Sequence, residues 1–138
     1  MKYKLLEGLT SDVMFEAYGS GLKELFANCA EALFSIMCSI EDVGGDREVE
    51  VSVSGDDEEA LLHNWLSELL TRADTEEIFL KRFEVREIGG EPLSLKAVCY
   101  GEAASVEKGR TYIKAVTYYK FRIEKTAKGY KATVALDI

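Results

Sequence analysis

From residue 113 to the C-terminus the chain alternates apolar and polar side chains with few interruptions. Ile113, Ala115, Thr117, Tyr119, Phe121 and Ile123 fall on one face of an extended chain, and Lys114, Val116, Tyr118, Lys120 and Arg122 on the other. Lys128-Gly129 then offers a turn, after which Tyr130, Ala132, Val134, Leu136 and Ile138 alternate to the end. A period of two over two long segments joined by a turn reads as a β-hairpin. It commits this part of the chain to an antiparallel sheet with one buried face.

The same period appears upstream. Val49, Val51 and Val53 mark a half-buried strand, Phe83 and Val85 sit in another over roughly 77–88, and Leu93, Leu95, Ala97 and Cys99 share a face of a third. Gly89-Gly90-Glu91-Pro92 between the last two reads as a turn. Short strands are expected near 2–6 and 13–17. Two segments switch to the helical period. Leu22, Leu25, Phe26, Cys29, Leu33, Phe34 and Met37 form one stripe, with Ser20 placed to cap a helix over 21–38. Leu62, Trp65, Leu66, Leu69 and Leu70 form the other, over 56–72, with Asp56 and Glu59 as a capping-box-like pair. The order ββ-α-β-α-ββββ predicts an α+β fold: a mostly antiparallel sheet with two amphipathic helices packed on one face. No linker or repeat divides the chain, so residues 1–138 are read as one domain.

Composition narrows the function classes. The apolar fraction of 47% contains no run long enough to cross a membrane as a helix, and no apolar signal core follows Met1-Lys2-Tyr3-Lys4. Cys29, Cys38 and Cys99 are odd in number and form no C-x-x-C pair. They read as buried apolar residues of a reducing, cytoplasmic protein, not as a disulfide or zinc framework. The net charge is −8. Residues 1–70 hold 4 Lys and Arg against 15 Asp and Glu, and residues 71–138 hold 13 against 10. An acidic chain gains little from counterion release, so tight direct nucleic-acid binding is not expected.

Few residues carry chemistry. His63 lies beside the second helical stripe with no nucleophile motif near it, and reads as a helix-surface or boundary residue. Glycine-rich phosphate loops and the G-x-S-x-G elbow are absent. A small metal-dependent phosphoesterase would need a histidine cluster that is not there. The suggestive feature is the end of the chain, where Asp137 and the α-carboxylate of Ile138 place two anionic groups side by side. A third carboxylate such as Asp12, at the start of an early strand, would complete an oxygen-only set suited to a hard cation such as Ca²⁺ or Mg²⁺.

These segments carry a family likeness. Asp12-Val13-Met14-Phe15-Glu16-Ala17-Tyr18-Gly19, Leu61-Leu62-His63-Asn64-Trp65-Leu66-Ser67-Glu68-Leu69-Leu70, Gly101-Glu102, Lys114-Ala115-Val116-Thr117-Tyr118 and the closing Asp137-Ile138 resemble, in order and spacing, the motifs of the archease family. The likeness runs from about residue 3 to 138. It departs at two places: the family's Asp-His-Thr-Ala-Asp is Gly8-Leu9-Thr10-Ser11-Asp12 here, and its Thr-Tyr-His is Thr117-Tyr118-Tyr119.

The resemblance implies a non-catalytic activator of the GTP-dependent RNA ligase that joins tRNA halves in splicing. Such a protein promotes guanylylation of the ligase histidine and multiple turnover. The resemblance also implies a divalent cation, Ca²⁺ foremost with Mg²⁺ or Mn²⁺ as alternatives, bound through Asp12, Asp137 and the Ile138 carboxylate. Lys114 is a candidate contact to the ligase or a phosphate. Trp65, Glu68 and Tyr118 are read as fold determinants. The competing expectation is a metal-independent, chaperone-like module that acts by surface contact alone.

Overall fold

The structure, a computed structural model, describes residues 1–6 and 12–138. Gly8, Leu9, Thr10 and Ser11, where the family motif is interrupted, lie outside the described residues. In chain order the elements are β1 (Tyr3–Leu6), β2 (Asp12–Gly19), α1 (Leu22–Met37), a short 3₁₀ turn (Ile40–Asp42), β3 (Arg47–Gly55), α2 (Glu58–Glu76), β4 (Ile78–Gly89), β5 (Leu93–Ala103), β6 (Ala115–Thr126) and β7 (Gly129–Asp137). This is the α+β order the patterning predicts.

The strands differ from the expectation in one respect: they divide between two antiparallel sheets. One is ordered β1-β2-β7-β6, the other β3-β5-β4. The pairing responsible is nonlocal. β7 returns to β2, near the start of the chain, while β5 pairs with both β3 and β4. Each helix touches both sheets: α1 packs on β2 and β4, α2 on β3 and β6. A helix wedged in this way is buried on more than one side. Beyond the expected Leu25, Phe26, Cys29, Leu33 and Phe34, α1 therefore also buries Ala30, Ala32 and Ile36. Its one buried polar side chain, Asn28, donates from Nδ2 to the Tyr18 carbonyl at 2.7 Å, which ties α1 to the end of β2.

The helix ends are shifted slightly from the sequence reading. Gly21 is the N-cap of α1, with no side-chain cap. Ser20 instead exchanges contacts with Glu24: its backbone N–H and its hydroxyl each donate to that carboxylate, at 3.2 Å. Asp57, one residue after the expected Asp56, caps α2 by accepting from the Ala60 N–H at 2.8 Å. The helix runs on past Arg72 to Glu76 because Arg72 pairs with Glu68 and Glu76 along its face and Ala73 is buried. Trp65 is fully buried, and its Nε1–H donates to the Phe26 carbonyl at 3.0 Å, so the polar edge of the ring is satisfied inside the core.

Candidate functional site

The antiparallel register of β2 and β7 begins at Asp12 opposite Asp137 and ends at Gly19 opposite Tyr130. Phe15 and Ala17 on β2, with Ala132, Val134 and Leu136 on β7, are fully buried and belong to the core. Because side chains alternate, that apolar set fixes Asp12 and Asp137 together on the opposite face of the sheet. Directly paired residues on one face have Cβ atoms about 4.5–5.5 Å apart. Strand pairing thus brings together two of the three groups singled out in the sequence; the third, Ile138, follows just past the end of β7 and is exposed. Asp12 and Asp137 are half-buried, and among the described residues neither has a basic partner. Like charges set opposite each other destabilise a sheet, and a cation bound between them relieves that cost.

Among the described residues no group of three or more His, Cys, Asp or Glu side chains is placed to hold a metal. The acids that strand pairing brings together here are the two side chains of Asp12 and Asp137. The donors are oxygens only, which fits a hard divalent cation and not zinc or copper.

Lys114 stands beside this edge. Its backbone N–H donates to the Asp137 carbonyl at 2.8 Å, extending the β6–β7 ladder by one rung. The residue itself lies just before β6 and not within a strand, and its side chain is exposed. The segment that delivers it is anchored on α1. The Arg110 N–H donates to the Met37 carbonyl at 2.9 Å, and the Thr111 N–H to the Ile36 carbonyl at 3.2 Å, so carbonyls left over at the helix end hold the segment in place. Lys114 also lines a groove of about 250 Å³ with Met37, Leu70, Phe79, Tyr112 and Ile113.

The uninterrupted alternation expected for residues 113–123 does not hold. Thr117 faces Ala135, and the next paired residue, Arg122, faces Thr133, so extra residues of β6 bulge between them. Lys120 takes up the bend in the left-handed region, φ 52°. Val116 turns inward and is buried, while Tyr118 and Tyr119 turn outward.

His63, read as a boundary residue, is half-buried and has a structural task that sequence alone did not reveal. Its Nε2 lies 2.9 Å from the Val116 carbonyl and its ring stacks on Tyr118, with centroids 3.9 Å apart and planes 8° from parallel. A carbonyl only accepts, so Nε2 carries the proton. One helical turn earlier, Glu59 accepts from the Ile123 N–H at 2.9 Å. Two side chains of α2 thus clasp both flanks of the bulge. The available signal was the i, i+4 spacing of Glu59 and His63, which places them on one helix face.

The remaining candidates serve the fold. All three thiols are free and buried, and burial pushes each upward: Cys38 and Cys99 to about 12, and Cys29 higher. None is poised as a thiolate. Glu102, part of the Gly101-Glu102 motif, is held below the usual carboxylate range, first by its hydrogen bond from Lys108 and also by one from the Gly44 backbone. It braces the loop after β5 against the one before β3.

Comparison with known proteins agrees with this architecture. Residues 3–138 match the archease protein family (MTH1598/TM1083). The archease of Archaeoglobus fulgidus is 41% identical over 138 residues, covering all of both chains. The solution structure of protein 1598 of Methanobacterium thermoautotrophicum superposes with a TM-score of 0.86 at 34% identity, covering 99% of this chain and 98% of that one. A crystal structure from Thermotoga maritima, described as an archease and possible chaperone, shares the fold with a TM-score of 0.61 at 20% identity, covering 96% and 98%. The fold is an antiparallel α+β architecture with an acidic sheet end. The chain belongs to the archease family.

Proposed function

We propose that this protein is a non-catalytic, metal-binding activator of the GTP-dependent RNA ligase of tRNA splicing, promoting guanylylation of the ligase and its multiple turnover. The observation that carries the reading is the pairing of Asp12 with Asp137 across β2 and β7, neither of which forms an ion pair among the described residues. Asp12, Asp137 and the Ile138 carboxylate would hold a divalent cation, Ca²⁺ foremost. Bound through one oxygen each, the three carboxylates would fill only about three of the ~6–8 oxygen positions that Ca²⁺ takes, which leaves coordination open toward water or a partner. Lys114, exposed at the same edge, adds a positive charge that a phosphate or an acidic ligase residue would meet. An accessory role is supported by what the nucleophiles and the base do instead. The thiols are buried, and His63 is committed to a carbonyl and a ring stack. Among the described residues no helix is long and apolar enough to cross a membrane.

The test is a multiple-turnover ligation assay with a cognate ligase, GTP and substoichiometric activator. Wild type is expected to raise ligase–GMP formation and product yield, and the Asp12→Ala, Asp137→Ala double variant to abolish the gain. Full stimulation by the double variant contradicts the reading. That result would favour a metal-independent, chaperone-like contact module, for which the description of the Thermotoga maritima structure as a possible chaperone is the supporting observation.

A further inference from the structure

The chain is acidic overall, yet residues 108–131 hold eight Lys and Arg against one acid, Glu124, a net of +7. Three of these cations, Lys120, Arg122 and Lys125, lie on β6, at an edge of its sheet, and the others lie before it, in the turn after it or on β7. Lys108, Arg110, Arg122 and Lys131 are neutralised by Glu102, Glu41, Glu124 and Glu16. Lys114, Lys120, Lys125 and Lys128 are exposed and have no acidic partner among the described residues. They run from just before β6, through the bulge, to the β6–β7 turn.

Set among these cations are two outward rings. Tyr118 is 67% exposed and Tyr119 51%. Neither is loose. Tyr118 lies flat on His63, with the Phe121 ring tilted against it at 6.0 Å between centroids, so one of its faces is backed and the ring is held in place. Lys120 Nζ sits 5.4 Å from the Tyr119 ring centre. The α2 clasp, with Glu59 on Ile123 and His63 on Val116, fixes the bulge that presents both rings. Ordering a mobile side chain normally costs a ligand affinity, and an immobilised ring avoids much of that cost.

From this juxtaposition we infer that the β6 bulge is a binding surface for single-stranded RNA, with Tyr118 and Tyr119 stacking on bases and Lys114, Lys120, Lys125 and Lys128 tracking the backbone. Two neighbouring rings flanked by cations on both sides match what single strands require, since every base offers a flat face and every phosphate a charge. An acidic peptide would meet the lysines but has no planes for the rings. The −8 net charge makes the contact modest and salt-dependent. Asp12 and Asp137 take no part in it.

The test uses the protein alone, with chelator and without ligase, so that it stands or falls separately from the activator reading. Fluorescence anisotropy of a labelled oligouridylate at low salt is expected to show saturable binding, with log affinity falling against log salt at a slope of about −2 to −3. The Tyr118→Ala, Tyr119→Ala variant should bind at least ~10-fold more weakly, whereas Tyr118→Phe, which keeps the ring and its stack, should bind like wild type. Lys120→Asn, which tolerates the left-handed backbone, should flatten the slope by about one. Absence of binding by wild type or by Tyr118→Phe would overturn the inference. So would unchanged affinity in a folded double Ala variant, or competition by polyglutamate as strong as that by unlabelled oligouridylate. The last outcome would mark an acidic-peptide surface instead.

Discussion

The two ends of the four-stranded sheet are closed by opposite physics. At one end β2 runs out at Gly19 and β7 begins at Gly129. A Cβ on Gly129 would overlap the Gly19 carbonyl oxygen, and one on Gly19 would overlap the backbone of Leu25. Gly129 also sits at φ 139°, where only glycine is comfortable. Backbone touches backbone there. A cleft of about 600 Å³ beside it is lined by Tyr18, Ser20, Glu24 and Lys131. At the other end the same two strands place Asp12 against Asp137, and no cation among the described residues answers them. One end is fixed by steric fit, and the other is left electrostatically unfinished. Departures from local stability are expected where function is built, so the acidic end is where a ligand is to be sought and the glycine end is where the fold is made.

The core that both ends share can be loosened first, by alkali acting on its buried thiols. Burial holds the Cys29, Cys38 and Cys99 thiols neutral, so their folded pKa values lie above the ordinary 9.0. Their contribution to stability is complete below pH 9 and is lost progressively as pH rises toward about 12, because the unfolded chain ionises its thiols first. Urea denaturation against pH should show this alkaline fall, and a Cys99→Ala variant should show less of it. Next, Trp65→Ala empties the core between the sheets and should cost roughly 3–5 kcal/mol by chemical denaturation. Gly129→Ala should cost somewhat less, about 2–3 kcal/mol, through overpacking against Gly19 and a disfavoured φ. The smallest effect has the opposite sign. Asp137→Asn should stabilise the metal-free protein by ~0.2–1 kcal/mol, because it removes a like-charge pair. A loss of stability in chelator would mean that Asp137 is a structural residue, and the contrast between the ends would vanish.

Much of this was legible in the sequence because the signals are local. The stripes through Leu25, Phe26 and Phe34 and through Leu62, Trp65 and Leu69 gave both helices and their buried faces, and all six residues are fully buried. The caps were displaced by one residue, Gly21 for Ser20 and Asp57 for Asp56, since neighbouring polar residues offer nearly equal starts. The division into two sheets was hidden. Periodicity reports which face of a strand is buried but not which strand lies beside it, and the β2–β7 pairing joins opposite ends of the chain. The bulge was hidden for a related reason. Alternation continues through Tyr119 and Phe121 by residue type, while the backbone inserts unpaired residues there. At the candidate site, Asp12, Asp137 and Ile138 were named from residue chemistry and family likeness. The meeting of Asp12 with Asp137 depends on register, which no spacing in the sequence encodes. The Glu59 and His63 clasp went unread because its partners, the Ile123 N–H and the Val116 carbonyl, are backbone groups and carry no sequence signal.

The account turns on whether Asp12 and Asp137 jointly hold a divalent cation, and a calcium-dependent melting experiment addresses this directly. A ligand that binds only the folded state stabilises it by about 2.7 kcal/mol at a hundredfold excess over its dissociation constant. Thermal denaturation of wild type should therefore shift upward as calcium is titrated. The Asp12→Asn, Asp137→Asn double variant, melting at or above wild type in chelator, should show no shift. Moving the Ile138 carboxylate away with a C-terminal extension should remove most of it. Equal calcium shifts in wild type and the double variant, or none in wild type with calcium, magnesium or manganese, would contradict a cation site at the acidic end of the sheet.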